Sequence, residues 1–171
     1  MTKIRDTDYL TISARIRAME TRLLTRERME RMLEARTDEE AAKVLAECGY
    51  GELSTLTHGA LDEMLSAARG ALYKELKGAV PQKGLVEVFQ MKYDYHNAKT
   101  LIKAAAVGTE ADRLLMEGGR WTAAQIKDAF QRDSLRDFTD PFRQAVTQAR
   151  ELLNGGGDPQ LADFVLDRAY F

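Results

Sequence analysis

Apolar residues recur along this chain at spacings of three and four, the period of an amphipathic helix. Tyr9, Ile12, Ile16, Met19 and Leu23 form one such seam and predict a helix from about Asp8 to Leu24. Thr25 reads as the N-cap of a second helix with Met29, Met32 and Leu33 facing inward. Thr37 and Glu40 stand at capping-box spacing ahead of a third helix, which ends near Cys48 with Gly49 as its C-cap. The Gly49-Tyr50-Gly51 stretch is a turn. Leu61, Leu65, Ala68, Leu72 and Leu76 predict a fourth helix over about Ala60 to Lys77, closed by Gly78. Val88, Met91, Tyr95, Ala98 and Ile102 mark the longest helix, from about Lys83 to Val107 with Gly108 as cap. Residues 85–89 are strand-like in composition, but the helical period runs through them without a turn signal, so helix is the reading.

Gly118-Gly119 is a loop, and Thr122 with Gln125 makes a further capping box ahead of Ile126, Ala129 and Phe130. Two of the three prolines follow aspartates, Asp140-Pro141 and Asp158-Pro159. Each pair reads as N-cap plus first helical position, where proline's missing N–H costs nothing. The first opens a helix through Leu153, ended by Asn154 and the Gly155-Gly156-Gly157 joint. The second opens a last helix carrying Leu161, Phe164, Val165 and Leu166, with no C-cap before Tyr170-Phe171. That ending predicts an apolar face whose partner lies elsewhere. The pattern as a whole predicts an all-α chain of about eight helices in an array or bundle, one helical domain over 1–171 with joints near 78–82 and 154–158.

Composition narrows the function. At 171 residues a sizeable core can form without metal or disulfide support. A net charge of −2 removes the whole-chain electrostatic case for nucleic acid. The single cysteine, Cys48, excludes an internal disulfide framework and suits a reducing compartment. The longest apolar run, Ala104-Ala105-Ala106-Val107, is far short of the ~20 residues that span a bilayer. The first residues lack the apolar core of a secretory signal. The reading is cytoplasmic, compatible with a peripheral part of a membrane machine.

Candidate chemistry is sparse. His58 and His96 have no partners at zinc-ligand spacing, and Cys48 has no Cys-x-x-Cys mate. No phosphate-binding glycine loop precedes a lysine, and Gly155-Gly156-Gly157 reads as a hinge. Asp94 and Asn97, three apart beside Tyr93, Tyr95 and His96, form a polar group on the longest helix; their expected role is structural, crossing to a neighbouring helix or capping its end. Arg5, Arg15, Arg17, Arg22, Arg26, Arg28, Arg31 and Arg36 are interleaved with Asp6, Asp8, Glu20, Glu27, Glu30 and Glu34, the mixture of a solvated face, with a modestly basic docking surface as the alternative reading. Lys92, Lys99 and Lys103 read the same way. With no nucleophile–base pair, metal cluster or cofactor loop, the residues predict a binding or structural role, with no catalytic, cofactor-binding or metal-binding residue and the binding residues unassigned.

Several segments resemble a known family. Tyr9-Leu10, the run from Ala14 to Glu20 and Leu23-Leu24-Thr25 are similar to the opening of the C subunit of V-type (A-type) ATPases, the counterpart of the d subunit of the eukaryotic V-ATPase. The segment from Phe89 to Ala104 resembles that family's Lys-Tyr-Asp-x-x-Asn-x-Lys-x-Leu pattern, here beginning at Lys92, Tyr93 and Asp94 and continuing through Asn97, Lys99 and Leu101. Tyr50-Gly51 and the run from Leu166 to Phe171 fit as well. The resemblance implies a funnel-shaped fold of pseudo-repeats, of which this chain is about the N-terminal half. It implies a non-catalytic rotor component of the central stalk, linking the membrane ring of proteolipid subunits to the axle formed by the D and F subunits. ATP synthesis or hydrolysis is thereby coupled to proton or sodium transport, without nucleotide bound by the component itself. The departure from the family's length, with the second half absent, adds the expectation of self-association through the exposed final helix. The competing reading is a helical scaffold or adaptor of an unrelated complex.

Overall fold

The computed structural model describes residues 4–52 and 57–171. Among them are eight α-helices and no strand, in two compact units that divide between Lys83 and Gly84.

The first unit contains α1 (Leu10–Glu20), α2 (Arg26–Glu34), α3 (Asp38–Glu47) and α4 (His58–Ala79), with a 3₁₀ turn at Asp6–Tyr9 before α1. Helix α1 is shorter than its apolar seam. The Thr21 hydroxyl donates back to the Ala18 carbonyl at 2.7 Å, and Arg22 and Leu23 donate to Met19 and Glu20 three residues back, tightening the chain out of the α-helix. Thr25, Thr37 and Thr57 are N-caps whose hydroxyls accept from the third helical residue. At α3 the capping differs from expectation: Glu40 reaches past Thr37 and accepts from the Arg36 N–H at 2.9 Å. Its C-terminus is a Schellman end, with Gly49 at φ +85° and Tyr50 donating to Leu45.

The core residues of this unit are Ile12, Ala42, Val44, Leu45 and Cys48. Helix α2 packs on α3; its Met32 is half-buried, whereas Met29 and Leu33 are exposed. A nine-residue helix against one neighbour covers only the residues on the contacting side. Helix α4 has no fully buried residue, and its seam residues Leu65 and Leu72 lie in solvent. It also runs through Gly78, which sits inside the helix rather than ending it. The stop comes from Pro81, which forces the preceding Val80 into an extended conformation (φ −83°, ψ 139°).

The second unit is built on α5 (Gly84–Val107), which packs against α6 (Ala123–Gln131), α7 (Asp140–Asn154) and α8 (Pro159–Tyr170). A short 3₁₀ turn covers Asp112–Leu114. Tyr95, Ala98 and Ile102 of the α5 seam enter one core with Ile126, Phe142, Val146, Ala149 and Leu166, while Val88 at the start of the seam is exposed. Helix α7 starts one residue earlier than its sequence suggests: Thr139 is the N-cap, which puts Pro141 at the second helical position. Asp158 does cap α8, accepting from Gln160 N–H at 2.8 Å. The ends of α5, α6 and α7 each turn through a left-handed residue, Gly108, Asp133 and Gly156. On α8, Leu166 is fully buried but Leu161 and Phe164 are exposed, as is Phe171 after it.

Candidate functional site

Positions 90, 94 and 97 are four and three apart, so a helix places them on one face. In α5 that face carries Gln90, Asp94 and Asn97, and all three are buried. Such burial requires partners, and they come from the irregular segment that joins α5 to α6. Asn97 and Met116 exchange a reciprocal pair: Met116 N–H donates to Asn97 Oδ1 and Asn97 Nδ2 donates to Met116 O, both at 2.8 Å. Gln90 Nε2 donates to the carbonyls of Gly118 (3.3 Å) and Gly119 (2.9 Å). Asp94 accepts from the backbone N–H groups of Arg120 (3.0 Å) and Trp121 (3.4 Å) and from Arg120 Nε (2.6 Å). His96, exposed at the edge of this face, donates Nε2–H to the Leu114 carbonyl at 2.9 Å.

The loop is shaped to lie this close. A Cβ on Gly119 would fall 2.2 Å from Asp94 Oδ1 and 2.9 Å from the Trp121 carbonyl, and Gly118 holds φ +104°. Arg120 lies over the Trp121 ring, 4.3 Å from its centroid. The indole in turn packs edge-on to Phe138 at 4.6 Å and against Phe142 at 5.5 Å. Thr122 then starts α6 with the expected reciprocal capping box, and Glu117 accepts from the Ala123 N–H at 3.4 Å. Burial pushes the Asp94 carboxyl above its ordinary value, with Arg120's hydrogen bond and charge acting in the opposite direction. Burial likewise raises Tyr95. Its ring meets Phe142 edge-on at 5.1 Å, and its hydroxyl donates to Ala169 O at 3.3 Å.

The polar group singled out in the sequence is therefore a clamp. Asp94 and Asn97 reach across to the approach of α6, and they act with Gln90, which sequence reasoning missed. Gln90 stands one turn before Asp94, but only the packing of the Gly118-Gly119 loop on this face distinguishes it from a solvent-facing glutamine. Tyr93 is buried alongside, with the Lys92 ammonium 4.9 Å from its ring centroid. Gln90 Oε1 and Arg120 Nη2 are buried without a hydrogen-bond partner among the described residues.

Several of the other charged candidates pair within their own unit. Lys99 and Lys103 bridge to Asp167 and Asp163, a two-rung ladder between α5 and α8. Arg15 pairs with Glu75, Arg17 with Glu20 and Arg26 with Glu30. Arg31 holds Glu47 through two hydrogen bonds of 2.9 and 3.1 Å, and this exposed pair raises the arginine and lowers the glutamate. Arg28 donates to the Leu23 carbonyl. His58 is exposed in the first turn of α4, and Cys48 is buried at the end of α3. Among the described residues no three His, Cys, Asp or Glu side chains gather in a metal-binding group, and no helix is long and apolar enough to cross a membrane.

Residues 12–171 match the family described as ATP synthase (C/AC39) subunit. The C subunit of a V-type sodium ATPase from Enterococcus hirae is 23% identical over 167 residues, covering 95% of this chain and 50% of that protein. The C subunit of an A-type ATP synthase from Methanocaldococcus jannaschii is 28% identical over 133 residues, covering 70% of this chain and 33% of that protein. The chain thus spans half the length, or less, of these two curated relatives in the aligned region. No solved structure gave a significant match.

Proposed function

The chain belongs to the ATP synthase (C/AC39) subunit family, and we propose that it acts as a non-catalytic rotor component of a V-type or A-type rotary ATPase. In this role it stands on the cytoplasmic face of the membrane, between the proteolipid ring and the axle of the D and F subunits. It passes torque between ATP chemistry and ion movement. The observation that carries this reading is the family match from residue 12 to residue 171.

The physical character of the chain supports it. A torque-bearing part has to resist shear, and close-packed interiors have low compressibility. In the second unit the long helix α5 is tied to α6 by the Gln90–Asp94–Asn97 clamp and to α8 by two ion pairs.

Affinity purification of the tagged chain from detergent-solubilised membranes of its own host tests the proposal. The expected result is co-purification of the proteolipid and of the D and F counterparts, with no ATP hydrolysis by the isolated chain. Recovery with neither ring nor axle components, or hydrolysis by the chain alone, contradicts it.

A further inference from the structure

The alanine run that was too short to span a membrane has another setting in the structure. Ala104, Ala105 and Ala106 line an open cleft of about 640 Å³ within the second unit, together with Leu101, Phe130 and Leu153. That volume is in the ~300–1,000 Å³ range of ligand sites. The cleft lies where α6 and α7 both rest on α5, and the alanine side chains are too small to fill the space above them.

Its rim is held by two ion pairs between elements. Lys127 of α6 pairs with Asp112 of the preceding connection. Arg150 of α7 pairs with Asp133 at 2.8 Å and lies 4.3 Å from the Phe130 ring centroid. Both pairs turn their acids outward. The side chains of Asp112 and Asp133 are 55% and 87% exposed, against 35% for Lys127 and 25% for Arg150. Glu110, also at the rim, is exposed. The floor is apolar, and the charge offered to an approaching molecule is negative.

We propose that this cleft docks an amphipathic helix of another protein, one whose apolar face is flanked by lysine or arginine. A helix presents apolar anchors at i, i+3/i+4 and i+7, which suit a floor lined by Leu101, Ala104, Ala105, Phe130 and Leu153. Its flanking cations meet Asp133, Asp112 and Glu110. An acidic helix is repelled by the same rim.

The test places a photo-crosslinking p-benzoyl-phenylalanine at Gln131, an exposed residue of the cleft rim, in the full chain expressed in its host. Mass spectrometry identifies the captured peptide. A control carries the same group at Arg132, exposed but outside the cleft. The expected capture is a segment of another chain with apolar residues at helical spacing and Lys or Arg beside them. Its yield should be lost in Ala105→Trp, which fills the floor, and should fall about fivefold or more when Asp133 and Glu110 are both changed to Lys. Glu110→Lys alone, at an exposed rim residue that belongs to neither ion pair, should lower the yield in the same direction and keeps the test decisive if Ala105→Trp or the Asp133 variant does not fold. Capture no greater than at Arg132 overturns the proposal. So does capture of a second copy of this chain, capture of an acidic or non-helical segment, or a yield indifferent to both kinds of variant. Whether the captured chain belongs to a rotary ATPase bears on the rotor proposal alone.

Discussion

Arg120 donates its Nε–H to Asp94 at 2.6 Å, and the Asp94 side chain is wholly shut away from solvent. The pair is tied to the backbone as well, because the same carboxylate accepts from the N–H groups of Arg120 and Trp121. Removing one member of a buried pair strands the other charge. Asp94→Ala is therefore expected to destabilise the chain by about 3–5 kcal/mol, read from urea unfolding followed by circular dichroism. A change below about 1 kcal/mol would show that the loop finds equivalent partners without it.

The raised Asp94 carboxyl gives this pair a signature in pH. Its native pKa lies above the unfolded one, so the native state holds the proton more tightly. That stabilising contribution is full below the ordinary aspartate range and is lost as pH rises through the native value. Asp94→Asn removes the titration. The stability of the original chain minus that of Asp94→Asn should decrease as pH rises through and above the ordinary aspartate range. A flat difference would mean that Arg120 cancels desolvation, and one that grows that Arg120 outweighs it.

Two glycines should respond in opposite directions to alanine. At Gly119 the new methyl would lie 2.2 Å from Asp94 Oδ1 and 2.9 Å from a backbone oxygen, an overpacking worth about 1–3 kcal/mol of destabilisation. At Gly70, within α4, nothing lies within 4 Å of the added carbon. There alanine should stabilise by about 0.5–1 kcal/mol through helix propensity. Paired thermal melts of the two variants check both signs.

Hydrogen exchange can follow the clamp directly. Asn97 Oδ1 accepts the Met116 N–H at 2.8 Å in a segment with no regular secondary structure. Asn97→Leu should abolish protection of the Met116 amide and cost about 1–3 kcal/mol for each group left unsatisfied. Protection that survives the change would place the acceptor elsewhere.

Helix existence was legible because seams at 3.6-residue period and threonine caps are local signals. Thr25, Thr37 and Thr122 cap where the sequence puts them, and the strand-like residues 85–89 are helical. What was not legible depends on neighbours distant in sequence. Met29 and Leu33 belong to a seam by spacing, but the position of α3 decides which side of α2 is covered. Gly78 looked like a stop because glycine often ends helices, whereas Pro81 carries the actual break. At the clamp, Asp94 and Asn97 stood out as polar residues on an apolar helix. Gln90 did not, since a glutamine facing solvent and one facing a glycine loop look identical in a linear sequence.

The residues on α5 grip the loop mostly by its main chain: the carbonyls of Leu114, Met116, Gly118 and Gly119, and the N–H groups of Met116, Arg120 and Trp121. A grip of this kind is blind to side-chain identity at most of the positions it holds. The helix then serves as a fixed mount and the loop as a faceplate. Apart from Gly118, Gly119, Arg120 and Trp121, the plate can be re-lettered at outward positions such as Arg113 and Leu114 while its course in space stays the same.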